Sequence, residues 1–158
     1  MSAVDASPGQ DAGTPGRSDA EAPQGPPVVE IGVPDAQAGL DFEPLPPGGE
    51  IFFSGGGQGG LLIQLALRCM NLGDAAFIEL RVVDLESGTE AVRQPWPEPD
   101  ALTCSDDGTC TYLPALVGVG VLGDPSELDG MRVRIEAELT SPSGALGSAQ
   151  TEAILRMR

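Results

Sequence analysis

Residues 131–140, MRVRIEAELT, alternate without a break. Met131, Val133, Ile135, Ala137 and Leu139 fall on one parity, and Arg132, Arg134, Glu136, Glu138 and Thr140 on the other. Successive side chains of a strand point to opposite faces, so this period of two means a strand with one buried and one wet side. A helix would scatter the same apolar residues around its circumference. Ser141-Pro142-Ser143-Gly144 then supplies turn chemistry, and Ala149, Thr151, Ala153, Leu155 and Met157 alternate in a returning strand. The C-terminal end therefore reads as a β-hairpin. Asp129-Gly130 marks the corner just before it.

Upstream segments repeat the pattern. Phe77–Leu85 places Ile78, Leu80 and Val82 on one face, and Glu86-Ser87-Gly88 turns it into Thr89–Gln94. Leu61–Met70 is apolar at Leu61, Ile63, Leu65, Leu67 and Cys69, with Gln64 and Arg68 on the other side. Val28–Val33, Ile51–Phe53 and Tyr112–Val117 bring the count to about seven or eight short strands separated by Gly/Pro turns. No segment after residue 71 carries a helical stripe of useful length. The expectation is an all-β domain over 28–158, an immunoglobulin-like antiparallel β-sandwich. Residues 1–27, almost entirely Ala, Ser, Gly, Pro, Asp and Gln, bury too little apolar surface to offset their ordering entropy. They read as a disordered leader or tether, of the kind that follows the acylated cysteine of a lipid-anchored protein.

Charge narrows the function. Eight basic residues face 24 acidic ones, a net charge of −16, and every basic residue is arginine. Nucleic acid and anionic membranes need a basic footprint, so neither is an expected partner. With no histidine the common general base is missing, and with no lysine there is neither a Schiff-base nucleophile nor a P-loop lysine. Serine nucleophiles lack an imidazole partner, and one Trp with one Tyr cannot line a glycosidase cleft. No stretch is long and apolar enough for a membrane span.

Three cysteines carry positional information. Cys104 and Cys110 bracket Ser-Asp-Asp-Gly-Thr, a polar turn with Asp107-Gly108 at its tip. This reads as a hairpin closed by a disulfide, worth about 2.4 kcal/mol in the loop-entropy model and pointing to an oxidising, extracytoplasmic compartment. Cys69 falls on the inward parity of its strand and is expected as a buried free thiol. A bridge from Cys69 to one member of the pair is the alternative.

One motif suggests a different class. Gly55, Gly57 and Gly60 make a G-x-G-x-x-G pattern after Ile51–Phe53, and Asp84 lies where a dinucleotide fold keeps its ribose-binding acid. If Leu61–Asn71 were helical, this would be a small nucleotide-binding enzyme using the Gly55–Gly60 loop and Asp84. The leading strand is short, however, and residues 88–158 offer turns and alternating strands instead of further helices. Exposed glycines joining two strands are the simpler reading.

Several of these elements resemble a family of secreted or lipid-anchored myxobacterial-type surface proteins. They are Glu30-Ile31-Gly32, Phe42-Glu43-Pro44-Leu45, Gly57-Gln58-Gly59-Gly60 leading to Leu65-Ala66-Leu67-Arg68, Cys104 with Asp107-Gly108-Thr109-Cys110, and Glu127-Leu128-Asp129-Gly130. The resemblance implies an immunoglobulin-like domain at the cell surface with no established activity. A histidine usual shortly after the Gln-Gly-Gly is Leu62 here.

Two further groups complete the candidate sites. Asp124, Glu127 and Asp129 sit in one loop, and oxygen ligands in loops are what calcium requires, although D-x-x-E-x-D is no EF-hand spacing. Trp96, between Pro95 and Pro97, is expected to pack over the sandwich edge, with an exposed sugar-stacking or partner-anchoring role as the alternative. The functional expectation is a noncatalytic extracytoplasmic module that binds a protein or glycan of the cell envelope or acts as a spacer, without a cofactor unless calcium binds. Its contact surface is expected at Gly57, Gln58, Gly59 and Gly60, at Trp96, and on the loops at Asp124–Gly130 and Cys104–Cys110.

Overall fold

The computed structural model describes residues 25–35 and 41–158; the leader expected over residues 1–27 lies almost wholly outside them. Eleven strands form one mixed sheet: β1 Val28–Pro34, β2 Phe42–Pro44, β3 Gly49–Gly55, β4 Leu61–Met70, β5 Ala75–Asp84, β6 Glu90–Arg93, β7 Asp100–Ala101, β8 Thr103–Cys104, β9 Cys110–Gly118, β10 Arg132–Thr140 and β11 Leu146–Met157. The main path runs β2-β1-β4-β3-β11-β10-β5-β6, with β9 on β4, β8 on β9 and β7 on β5. A single α-helical turn, α1 Pro125–Leu128, and a 3-10 turn over Gly120–Leu122 are the helical elements of the described residues.

The alternation read from the sequence is the burial pattern of β10, while in β4 Ala66 is buried between Leu65 and Leu67 at a register shift, and Met157 at the end of β11 is 57% exposed. Val133, Ile135, Ala137 and Leu139 of β10, Ala76, Ile78, Leu80 and Val82 of β5, and Ile63, Leu65, Leu67 and Cys69 of β4 belong to one buried cluster. Each of these is at most 2% exposed. At about 25 cal/mol per Å² of apolar surface, burying rows of this kind is the main term holding such a sheet together. β4 is central. β9 pairs along one of its edges, while β1 and β3 share the other, β1 at residues 66–70 and β3 at residues 61–63.

Three features differ from the sequence expectation. The sheet is not purely antiparallel: β3 runs parallel to β11, with Ile51 opposite Leu155 and Phe53 opposite Met157. Turn signals specify only local, antiparallel connections, and this pairing joins segments about a hundred residues apart in the chain, so no local signal records it. The strand count is also higher, because β2, β7 and β8 have only two or three residues, too few to show a period. Finally, Trp96 does not pack over an edge but is 63% exposed.

Arg93 ties three strands together. Its guanidinium donates to the Ile78 carbonyl oxygen at 2.8 Å, the Asp100 carboxylate at 3.2 Å and the Tyr112 hydroxyl at 3.2 Å. Tyr112 in turn donates to Asp100 at 3.3 Å. The Arg93 and Asp100 side chains are only 13% and 14% exposed, whereas the other five ion pairs among the described residues involve more exposed partners and contribute little each. Removing one member of a secluded pair strands the other charge away from water. Arg93→Ala is therefore expected to cost about 3 kcal/mol and Tyr112→Phe about 1 kcal/mol. Urea unfolding checks both, and equal small losses would show that the network is solvent-screened.

Candidate functional site

The glycine loop is the turn of the β3–β4 hairpin. Gly56 N–H donates to the Gly60 carbonyl oxygen at 2.6 Å and Gly59 N–H to the Gly56 carbonyl oxygen at 3.0 Å. Leu61–Met70 is a strand and pairs antiparallel with β3, so no helix N-terminus stands behind the glycines to receive a phosphate. Asp84 is likewise engaged. Its carboxylate accepts from Ser87 Oγ at 2.5 Å and from the Glu86 and Ser87 backbone N–H groups at 3.0 and 3.3 Å, closing the β5–β6 turn.

Glycine chemistry in the loop separates by position. Gly59 has φ +82°, in the left-handed region that favours glycine, and a Cβ on Gly56 would lie 2.9 Å from Leu62 Cδ1. Gly55, Gly57 and Gly60 have neither constraint: a Cβ on any of them would meet nothing within 4 Å. Those three make up the G-x-G-x-x-G pattern, and the chain itself gives no packing reason for their lack of side chains.

The surface beside this loop is chemically distinct. Ser54 of β3, Leu62 of β4 and Gly118 of β9 form one cross-strand row, and Gln64 and Leu116 form the next. Phe52 shares the outward parity of Ser54, opposite to buried Phe53. Phe52 is 50% exposed and Leu116 44%. Residues 51–67 and 108–123 contain no charged side chain, in a chain of net charge −16. Leu62 lies beside Gly56 and Gly118. The outer surface of β5, β10 and β11 is the opposite case: a shallow groove there is lined by Glu79, Arg81, Glu136, Glu138, Ser148 and Gln150.

The acidic residues are brought near one another, but their carboxylates are already engaged by backbone N–H groups. Asp84, Glu127 and Asp129 line one hollow with Glu86 and Arg132. Within it the Glu127 carboxylate accepts from Asp124 N–H at 2.8 Å, and Asp129 Oδ1 accepts from Met157 N–H at 3.1 Å. Among the described residues no three His, Cys, Asp or Glu side chains come together in a way that could hold a metal ion.

Cys104 and Cys110 are disulfide-bonded, with Cα atoms 4.0 Å apart across β8 and β9. The enclosed turn is fixed by Asp107, whose carboxylate accepts from Ser105 Oγ at 2.6 Å and Thr109 N–H at 2.9 Å. Cys69 is a free, buried thiol, pushed up to about 11 by burial. Sequence reasoning named the cysteines and the glycine loop but missed Phe52 and Leu116. The signal was available, as the absence of charge across two long segments, but only the β3–β4–β9 pairing shows that those segments share a face.

Fold and site together define a disulfide-bonded all-β protein, and no helix of the described residues is long and apolar enough to cross a membrane. No protein-family model, no curated protein and no solved structure matches the chain.

Hydrogen bonding holds Asp84 below the ordinary carboxylate range, chiefly through the Ser87 hydroxyl, and Asp107 likewise through the Ser105 hydroxyl. A carboxylate depressed by folding stabilises the fold fully above its unfolded-chain value and loses that contribution as pH falls through its folded value. Stability should therefore decline as pH drops below about 4. Asp84→Asn is expected to flatten this acid limb and to cost about 1–2 kcal/mol at neutral pH. Urea midpoints across the acid range check it, and an unaltered acid limb in the variant would contradict it.

Proposed function

We propose that the chain is a noncatalytic, extracytoplasmic binding module of the immunoglobulin-like sandwich type, docking a cell-envelope protein through the outer face of β3, β4 and β9 and the Gly55–Gly60 hairpin. The observation that carries this reading is the combination of bare glycines and exposed apolar side chains, Phe52 and Leu116, on the charge-free segments 51–67 and 108–123 of a strongly acidic chain, with the Glu50–Arg156 pair at their border. Exposed apolar patches on otherwise polar surfaces mark interaction sites. Glycines without an internal role let a partner's backbone approach closely.

Support for the sandwich comes from the sharing of one core by β1, β4 and β9 on one side of the path and by β5, β10 and β11 on the other, with β3 bonded to both β4 and β11. The disulfide favours an oxidising compartment. The remaining acidic surface would keep copies of the chain apart and leave the glycine hairpin and the charge-free segments beside it as the place of contact. Residues 1–27 would act as the tether that holds the module off a lipid anchor, as the resemblance to secreted or lipid-anchored surface proteins suggests. Trp96, at 63% exposure, is the observation favouring a glycan instead.

The test is co-sedimentation of the purified chain with envelopes of the source cells. Gly57→Asp and Phe52→Asp are expected to lower retention by about tenfold or more, the effect of losing roughly 1.4 kcal/mol of binding, while leaving thermal stability within about 2 °C. Trp96→Ala is expected to leave retention unchanged. Loss of retention with Trp96→Ala alone would move the site to that aromatic, and equal retention by every variant would remove the proposed face.

A further inference from the structure

The three cysteines lie in one row across three neighbouring strands. Cys69 of β4 is the cross-strand partner of Cys110 of β9, and Cys110 is also the partner of Cys104 on β8. Cross-strand partners project to the same face, so all three sulfur atoms are on one side of the sheet. Cys69 and Cys110 are 2% and 5% exposed within the core, whereas Cys104 is exposed on the two-residue strand β8.

The backbone pattern brings the unbonded pair within bridging range. Ser105 N–H donates to the Thr109 carbonyl oxygen at 2.9 Å, so the next pair, Cys104 and Cys110, is of the non-hydrogen-bonded kind. The peptide groups of Cys110 then turn toward β4. That gives Cys69 and Cys110 the register of a hydrogen-bonded pair, a class whose Cα atoms typically stand about 5.5 Å apart, inside the range of about 4.4–6.8 Å that disulfides span.

We propose that these residues form a thiol–disulfide relay, in which exchange moves the bridge from Cys104–Cys110 to Cys69–Cys110 and releases Cys104 as a free thiol on the exposed edge. The Cys69 thiolate attacks Cys110 Sγ. The Cys69–Cys110 bond forms as the Cys104–Cys110 bond breaks, and the electron pair leaves on Cys104. The proton lost from Cys69 is balanced by the one Cys104 takes up, so there is no net oxidation and no external oxidant is needed. Burial keeps Cys69 protonated and the resting bridge at Cys104–Cys110, so the exchange is slow until the β8–β9 hairpin loosens. Exchange would present a reactive cysteine at an unpaired strand edge, where it can attack a disulfide of another molecule, forming a mixed disulfide and expelling one thiolate.

The experiment uses the full chain, fully oxidised and free of reductant, held with excess N-ethylmaleimide and then mapped as non-reduced peptides. The expected result is maleimide on Cys104 together with a Cys69–Cys110 linked peptide, both increasing with time. In Cys69→Ala, which removes the attacking sulfur and keeps the site apolar, Cys104 labelling is expected to fall by about tenfold or more. Label on Cys69 with Cys104–Cys110 intact would overturn the relay, as would a chain whose Cys104 is never labelled. The wild-type arm decides the question even if the variant does not fold.

Discussion

The fold depends on burial of one face of β4. Ile63, Leu65, Leu67 and Cys69 point into the same cluster as Ile78, Leu80 and Val82 from β5 and Ile135 and Leu139 from β10. Both edges of β4 are occupied, so its main-chain groups and its inward side chains are removed from water together. Register then follows: a slip of one residue would turn Gln64 and Arg68 into the core and Leu65 and Leu67 out to solvent. The Arg93 network adds a polar tie from β6 to β5, β7 and β9, where an apolar contact would hold the strands less specifically.

That single strand also sets out the features that bear on function. Its start leaves the glycine hairpin, its outward row carries Leu62 and Gln64 between Ser54 and Leu116, and its end puts Cys69 beside Cys110. Arg68, near the same end, pairs with Glu30 at 2.5 Å and lies 4.4 Å from the centre of the Phe42 ring, covering the outer side of β1 and β2. The glycine hairpin and the cysteine row are therefore held by the most buried part of the molecule, and the hairpins that present them are exposed.

Much of this was legible in residue order. The alternation of Met131–Thr140 located β10, and Leu61–Met70 marked β4 at the bounds the structure gives. Cys104 and Cys110 bracketed their own hairpin, and the inward parity of Cys69 foretold its burial. What was not legible is non-local. The parallel β3–β11 pairing and the adjacency of Cys69 to Cys110 depend on which strands meet, and nothing local encodes that. Trp96 was misjudged because a lone aromatic between two prolines carries no period, so its exposure could not be read. Asp124, Glu127 and Asp129 looked like calcium ligands by type and Asp84 like a ribose-binding acid; that Asp84 and Glu127 close local turns and Asp129 accepts from the distant Met157 N–H becomes visible only with hydrogen-bond partners assigned.

If burial of β4 is the constraint on which everything else rests, native-state hydrogen exchange tests it most directly. The amides of Ile63, Leu65 and Leu67 should exchange only by global unfolding, with the same opening free energy as those of Leu80 and Ile135, after the Gly55–Gly60 and Cys104–Cys110 hairpins have exchanged. Earlier, independent exchange of β1, β4 and β9 while β5, β10 and β11 stay protected would contradict the account. It would show two separately stable units where a single core is claimed.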